Sequence, residues 1–116
     1  MAIRSLEIEK LKAIADRVDV LPTALQPLGV VLTFDVLYNA EVFTRDSDER
    51  GGNWGIHFNY RERRQAHVKL HMHGYLAIEE RYFRNTQGKS QVQHVYLITM
   101  DGFNLLTKLK QMAGIE

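Results

Sequence analysis

The chain lacks cysteine, has only two prolines in 116 residues, and contains no long apolar run. The absence of cysteine excludes disulfides, thiolate zinc sites, iron–sulfur clusters and a cysteine nucleophile, and it makes a reducing cytoplasm the expected compartment. No stretch approaches the roughly 18 apolar residues of a membrane span, and the N-terminal MAIRSLEIEKLK has no apolar signal-peptide core. We therefore expect a cytoplasmic protein that is neither exported nor anchored in a membrane.

The short signatures of common enzyme classes are also missing. The sequence contains no nucleophile elbow, no P-loop, no glycine fingerprint for dinucleotides and no HExxH. It therefore predicts a non-enzymatic binding protein with no cofactor, no metal and no catalytic residue.

The composition, 45% hydrophobic and 25% charged, is that of one globular domain covering residues 1–116. Charge is unevenly distributed, because segment 57–94 carries seven lysines and arginines against three acids, together with all five histidines, on a chain of net charge +1. Such a basic segment indicates one surface that faces a polyanion, of which nucleic acid is the commonest. The alternative is a chance cluster of solvated charges.

The N-terminal half predicts a helix, a connector and an ambiguous segment. Residues 3–18 place apolar side chains at helical spacing, and Pro22 and Pro27 then interrupt any regular helix. Residues 30–43 alternate apolar and polar side chains, which favours a half-buried strand, although the segment can also be wound as a helix. The polar run TRDSDERGGN, residues 44–53, predicts a loop.

The C-terminal half predicts a hairpin followed by a helix. Residues 75–83 and 91–99 are extended and joined by RNTQGKS, in which Gln87-Gly88 lies where a hairpin needs positive φ. Thr99 is a suitable N-cap for a last helix that stops at Gly114. The side chains predicted to be buried by this helix are Phe103, Leu105, Leu106, Leu109 and Met112.

Residues 56–73 are ambiguous, and the function depends on them. Their apolar and polar side chains alternate as in a strand. In a helix, Ala66 and Leu70 would share one face, but Val68 and Met72 would lie on a different side of the helix.

From this segment onward the sequence resembles the closing part of winged-helix domains. Leu70 stands four residues before Gly74-Tyr75-Leu76, a hairpin follows, and then come Tyr96-Leu97-Ile98-Thr99, Gly102 and Leu105-Leu106. In that pattern a recognition helix ends at L-x-x-x-G-Y-L, a two-stranded wing follows, and Y-x-L-T-x-x-G-x-x-L-L starts the helix behind it. Residues 82–106 are also similar to Rha-type phage regulatory proteins. The resemblance implies an α+β winged helix with an N-terminal helix, a C-terminal β-hairpin wing and a closing helix.

The resemblance also implies a small transcriptional regulator, encoded by a phage or other mobile element, that binds double-stranded DNA. We expect it to be a homodimer through its N-terminal helix. Phosphates are contacted mainly by the wing and bases by the recognition helix. The expected DNA contacts are Arg61, Arg63, Arg64, Gln65, His67 and Lys69 on the helix and Arg84, Gln87 and Lys89 on the wing.

The alternation leaves a second fold open, an antiparallel meander of four or five strands flanked by the N- and C-terminal helices. Such a protein would bind a protein partner, as an inhibitor or immunity protein does, or single-stranded nucleic acid on its open sheet face.

The remaining conspicuous residues have simple interpretations. On a helix His67 and His71 have the spacing to share a metal, but exposure to solvent or phosphate is the simpler expectation. Trp54 is expected to cover the core, with a stacking platform as the alternative. A solvated loop is expected for Asp46, Asp48 and Glu49.

Overall fold

A computed structural model describes residues 5–45 and 58–115. Its elements are helix α1 (Ser5–Lys12), two short 3₁₀ helices (Val18–Val20 and Thr23–Leu28), helices α2 (Val30–Arg45) and α3 (Tyr60–Met72), strands β1 (Leu76–Arg84) and β2 (Ser90–Ile98), and helix α4 (Met100–Ala113). The expected α+β class is confirmed. Outside the described residues lie most of the predicted loop 44–53, including Asp46, Asp48 and Glu49, and also Trp54.

Helix α2 lies at the centre of the fold, so the strand that was favoured for residues 30–43 is wrong. The helix packs against α1, α3, α4 and β2, and ten of its 16 residues are buried. A helix that is covered on all sides needs no continuous polar stripe. Of the polar residues that produced the alternation, Thr33 and Asp35 are buried with their apolar neighbours, and Asn39 and Glu41 are half-buried.

Helix α3 confirms the helical interpretation of the residues around Leu70. At its start the Asn59 side chain accepts a hydrogen bond from the Glu62 N–H at 2.8 Å, and the Glu62 carboxylate accepts one from the Asn59 N–H at 3.3 Å, which is a capping box. At its end the Tyr75 N–H donates to the Leu70 carbonyl at 2.8 Å, and Gly74 has the positive φ of 84° that this Schellman bond requires. The chain thus passes from α3 into β1 across only three residues.

The hairpin of β1 and β2 closes through a compact loop. The Asn85 N–H donates to the Lys89 carbonyl at 2.9 Å and the Gly88 N–H to the Asn85 carbonyl at 3.0 Å. The Asn85 side chain accepts from the N–H groups of Gln87 and Lys89 at 2.9 and 3.0 Å. Gly88 has the predicted positive φ, 78°, whereas Gln87 does not, as in a type I turn followed by a left-handed residue. These bonds fix the shape of the hairpin tip.

Helix α4 begins and ends where the sequence predicts. The Thr99 hydroxyl accepts from the Gly102 N–H at 3.1 Å and donates to the Gly74 carbonyl at 2.6 Å, so this N-cap also joins α4 to the turn after α3. Phe103 was predicted to be buried but is 45% exposed, because it lies well round the helix from the buried side. The buried side consists of Leu105, Leu106 and Leu109, and Gly114 ends the helix as predicted.

Helix α1 is shorter than the predicted span of residues 3–18. After Lys12 the chain tightens into turns, because Ile14 and Ala15 donate to the carbonyls three residues before them. Ile8 and Leu11 are buried in the core of the same chain. The apolar side of α1 is therefore buried against the rest of the same chain. A homodimer through this helix stays a prediction.

The alternative meander of four or five strands is not supported. Within residues 5–45 and 58–115 there are two strands, paired antiparallel with Leu76 opposite Ile98, and the segments that would supply further strands form α2 and α3. In the same residues no helix combines the length and apolar character needed to cross a membrane.

Candidate nucleic-acid interface

Helix α3 divides its side chains between the core and the solvent with the period of an α-helix. Ala66 and Leu70 are fully buried. The residues on the other side are all exposed, and we refer to them as the outer face of α3: Arg61, Arg64, Gln65, Val68 and Met72. This face therefore combines two cations and an amide with two solvent-exposed apolar side chains.

The two arginines of the outer face have no acidic partner in the described part of the chain. Neither the Arg61 nor the Arg64 side chain forms an ion pair or hydrogen bond there. The one acid of α3, Glu62, is engaged in the N-terminal capping box. Guanidinium groups with free donors can form bidentate hydrogen bonds to base edges or phosphates.

The hairpin tip carries the other predicted contacts in an exposed position. Arg84, Gln87 and Lys89 are all exposed, and the Asn85 side chain holds the backbone between them. The acids of the hairpin lie nearer its middle, where Glu79 pairs with Arg81 at 3.3 Å and Glu80 contacts His94 at 3.3 Å. The tip is therefore the cationic end of the hairpin.

Arg64 links the outer face to the base of the hairpin. It lines a groove together with Val68 and Met72, and it also lines a cleft together with His67 and Tyr96 of β2. The outer face of α3 and the hairpin are therefore neighbouring surfaces that one extended ligand can contact together.

Arg63 has a structural contact that its sequence position did not predict. Its guanidinium lies 2.7 Å from the carboxylate of Asp35 on α2, which is only 4% exposed. Asn39 adds hydrogen bonds to the Asp35 carbonyl at 2.8 Å and carboxylate at 3.4 Å. Burial raises the pKa of the Asp35 carboxyl above its ordinary value, although Arg63 and Asn39 act in the opposite direction. Arg63 thus compensates a buried acid, which leaves it poorly placed to read bases.

His67 is also turned inward, although exposure was expected for the histidines. Its Nδ1 donates to the Arg63 carbonyl at 2.7 Å, and its ring lies 4.3 Å from the ring of Tyr96. Burial lowers the pKa of the His67 imidazole below its ordinary value, and the nearby Arg63 charge acts in the same direction. His67 therefore packs α3 against the hairpin in surroundings that favour its neutral form.

This environment predicts a loss of stability in mild acid. Because the folded-state pKa of His67 is lowered, its contribution to the free energy of unfolding is present above about pH 6.5 and is lost as the pH falls through the folded-state pKa. We expect urea denaturation to show a smaller decrease between pH 7.5 and pH 5.5 for His67→Gln than for the wild type. Asp35 is present in both proteins, so the difference between them isolates the contribution of His67.

His71→Gln is the matched control, since His71 is exposed on the same helix, and it should retain the wild-type pH dependence. Equal acid destabilisation of the wild type and His67→Gln would contradict the role given to His67.

Lys69 lies between the exposed residues of the outer face and the inward-packed residues Arg63 and His67. It is half-buried, and its ammonium is 3.5 Å from the carbonyl of Ala24 in the 3₁₀ helix Thr23–Leu28. It therefore lies at the edge of the outer face, beside that 3₁₀ helix.

Two features of this part of the molecule were not predicted from the sequence. Val68 and Met72 were treated only as evidence against a helix, because they lie away from the face of Ala66 and Leu70. In a helix, that same position indicates that they are exposed on the outer face. The pairing of Asp35 with Arg63 had no local signal, because 28 residues separate the two positions.

Comparison of the chain with protein-family models, curated proteins and solved structures finds no match. Among the described residues, no three histidine or acidic side chains are grouped so that they can hold a metal ion.

Proposed function

We propose that this protein is a non-enzymatic regulator of transcription that binds double-stranded DNA through the outer face of α3 and the hairpin tip. One observation carries the proposal. A capped helix presents to solvent a glutamine and two arginines that have no partner among the described residues, and a connection of three residues joins it to a hairpin whose tip is cationic. The winged-helix resemblance of the sequence supports the same function.

The chemistry of each surface suggests its role. Arginine can bond bidentately to guanine and glutamine to adenine in the major groove, and recognition helices read bases mainly with residues near their N-termini, where Arg61, Arg64 and Gln65 lie. Val68 is suited to contact a thymine methyl group. Arg84 and Lys89 at the tip would neutralise phosphates and fix the orientation of the domain.

The proposed contact set is narrower than the sequence prediction. Arg63 and His67 pack inward and Lys69 lies at the edge. The proposed polar contacts with DNA are therefore Arg61, Arg64, Gln65, Arg84, Gln87 and Lys89, beside the apolar contact of Val68. Repression would be steric, through occupation of an operator. The proposal also includes a phage or mobile-element origin and a dimeric state.

Two kinds of variant should affect DNA binding differently. After selection of a preferred duplex from a random pool, Arg61→Ala with Arg64→Ala should weaken binding to that duplex more than to random duplex, because base contacts are lost. Lys89→Gln should weaken binding to every duplex and reduce the slope of log K against log salt by about 0.9, the effect of one phosphate contact. Fluorescence anisotropy at several salt concentrations measures both effects.

Lys12→Gln, an exposed cation on α1, is the matched control for Lys89→Gln and should leave binding and its salt dependence unchanged. If the wild type fails to bind duplex, binds single strands more tightly, or is unaffected by the substitutions on α3 and the tip, the proposed function is wrong.

A further inference from the structure

A groove lies between the outer face of α3 and the 3₁₀ helix Thr23–Leu28. Its volume is about 650 Å³, within the range of roughly 300 to 1,000 Å³ that is usual for sites of small molecules. Pro27, Leu28, Val68 and Met72 supply its apolar lining. It is therefore large enough and apolar enough to hold the body of a small organic ligand.

The polar lining of the groove has one sign of charge. Among the described residues, the groove is lined by Arg61, Arg64 and Lys69 and by the uncharged polar residues Gln65 and His73, and none of these described lining residues is an acid. The side chains of Arg61 and Arg64 have no partner in the described part of the chain. The groove thus places two arginines, which are unpaired within the described residues, beside exposed apolar surface.

We infer that this groove binds a small amphipathic carboxylate. Its anionic group pairs with Arg61 and Arg64, and its apolar body covers Val68 and Met72. A cation is repelled by the arginines, a small inorganic anion leaves the apolar surface in water, and a neutral apolar molecule leaves the arginines unpaired. Only a ligand with both parts satisfies both kinds of lining.

The position of the groove gives such a ligand a regulatory role, and this part of the inference rests on the proposed function. Arg61, Arg64 and Gln65 belong to both the groove and the proposed DNA contacts. One side chain cannot pair with a ligand carboxylate and contact DNA at the same time. Binding of the carboxylate and of duplex is therefore mutually exclusive, and the ligand releases the protein from DNA.

Isothermal titration with decanoate tests the site in the absence of DNA. Decanoate should bind the wild type, and Arg64→Gln and Met72→Gln should each raise its Kd by about tenfold. Lys12→Gln and Phe103→Gln, which remove an exposed cation and an exposed apolar side chain elsewhere, should leave it unchanged. Acetate, which lacks the apolar body, and decyltrimethylammonium, which reverses the charge, should bind at least tenfold more weakly.

The inference is overturned if decanoate does not bind, if decyltrimethylammonium binds equally well, or if the Arg64 and Met72 variants bind like the controls. Anisotropy with duplex alone tests the proposed function separately, so each can fail without the other. Where both bind, decanoate should displace duplex from the wild type but not from Met72→Gln at the same concentration. Simultaneous binding of both ligands would refute the regulatory role.

Discussion

Replacement of Gly102 by alanine is expected to destabilise the protein by about 3 kcal/mol, the upper end of what overpacking usually costs. Helix propensity alone predicts the opposite sign, since alanine is favoured over glycine by about 1 kcal/mol inside a helix. Overpacking and helix propensity thus predict changes of opposite sign in the free energy of unfolding, and measuring that change shows which effect is larger.

The surroundings of Gly102 leave no room for a β-carbon. It lies in the first turn of α4, and a β-carbon there would overlap the backbone carbonyl of Tyr75 and approach the Ile98 side chain to 2.8 Å. The Tyr75 carbonyl also accepts a hydrogen bond from the Thr99 N–H at 3.3 Å, so a shift of the backbone would disturb the start of α4. Glycine is therefore required where α4 crosses the entry to β1.

Thermal denaturation checks this prediction, and a loss of about 3 kcal/mol corresponds to a fall in Tm of roughly 10 °C. Asn104→Ala, an exposed position of the same helix, is the control and should leave Tm unchanged or slightly raised. A Gly102→Ala protein as stable as the wild type would show that α4 does not pack against the Tyr75 carbonyl as described.

The second large effect is expected for Arg63→Met. This change removes the cation beside the Asp35 carboxylate, which is 4% exposed. Breaking a fully buried ion pair costs about 3 to 5 kcal/mol, but the Arg63 side chain is 35% exposed, and solvent screening reduces the value to roughly 2 kcal/mol. Urea denaturation at pH 7 measures this loss.

Two further comparisons test whether the unpaired Asp35 carboxylate causes the loss of stability in Arg63→Met. Adding Asp35→Asn to Arg63→Met should restore much of the stability, because the buried charge is then absent. Without Arg63 the folded-state pKa of Asp35 rises further, so the variant should regain stability relative to the wild type as the pH falls from 7 towards the ordinary carboxyl range.

Arg61→Met is the matched control and should change stability by less than about 0.5 kcal/mol, as surface substitutions usually do. If Arg63→Met were no more destabilising than Arg61→Met, the ion pair would contribute nothing to the fold.

The sequence predicts the C-terminal part of this fold well because its signals are local. The Thr99 cap, the positive φ of Gly88 and the end of α4 at Gly114 each follow from a residue type at one position. The exit from α3 through Gly74 depends on equally local chemistry. Turn and cap geometry is set by a few neighbouring residues, so it can be read without knowledge of the tertiary structure.

The central helix could not be predicted in the same way. All of residues 30–43 are buried or half-buried, so their apolar pattern follows from the surrounding elements and not from one exposed face. The side chains of the candidate interface are equally hard to predict. The sequence identifies a basic segment, but it does not indicate that Arg63 turns towards Asp35 while Arg64 turns outward. That distinction depends on which side of α3 packs against α2.

We propose that duplex DNA lies against the outer face of α3 and the hairpin tip. Backbone amide NMR during titration with a selected duplex tests it most directly, because the shifts locate the contact without any substitution. The claim predicts the largest shifts between Arg61 and Gln65 and between Arg84 and Lys89, with little change at the exposed positions Asn104 and Lys108 of α4. Shifts that cluster on α4 and spare α3 and the tip would contradict it.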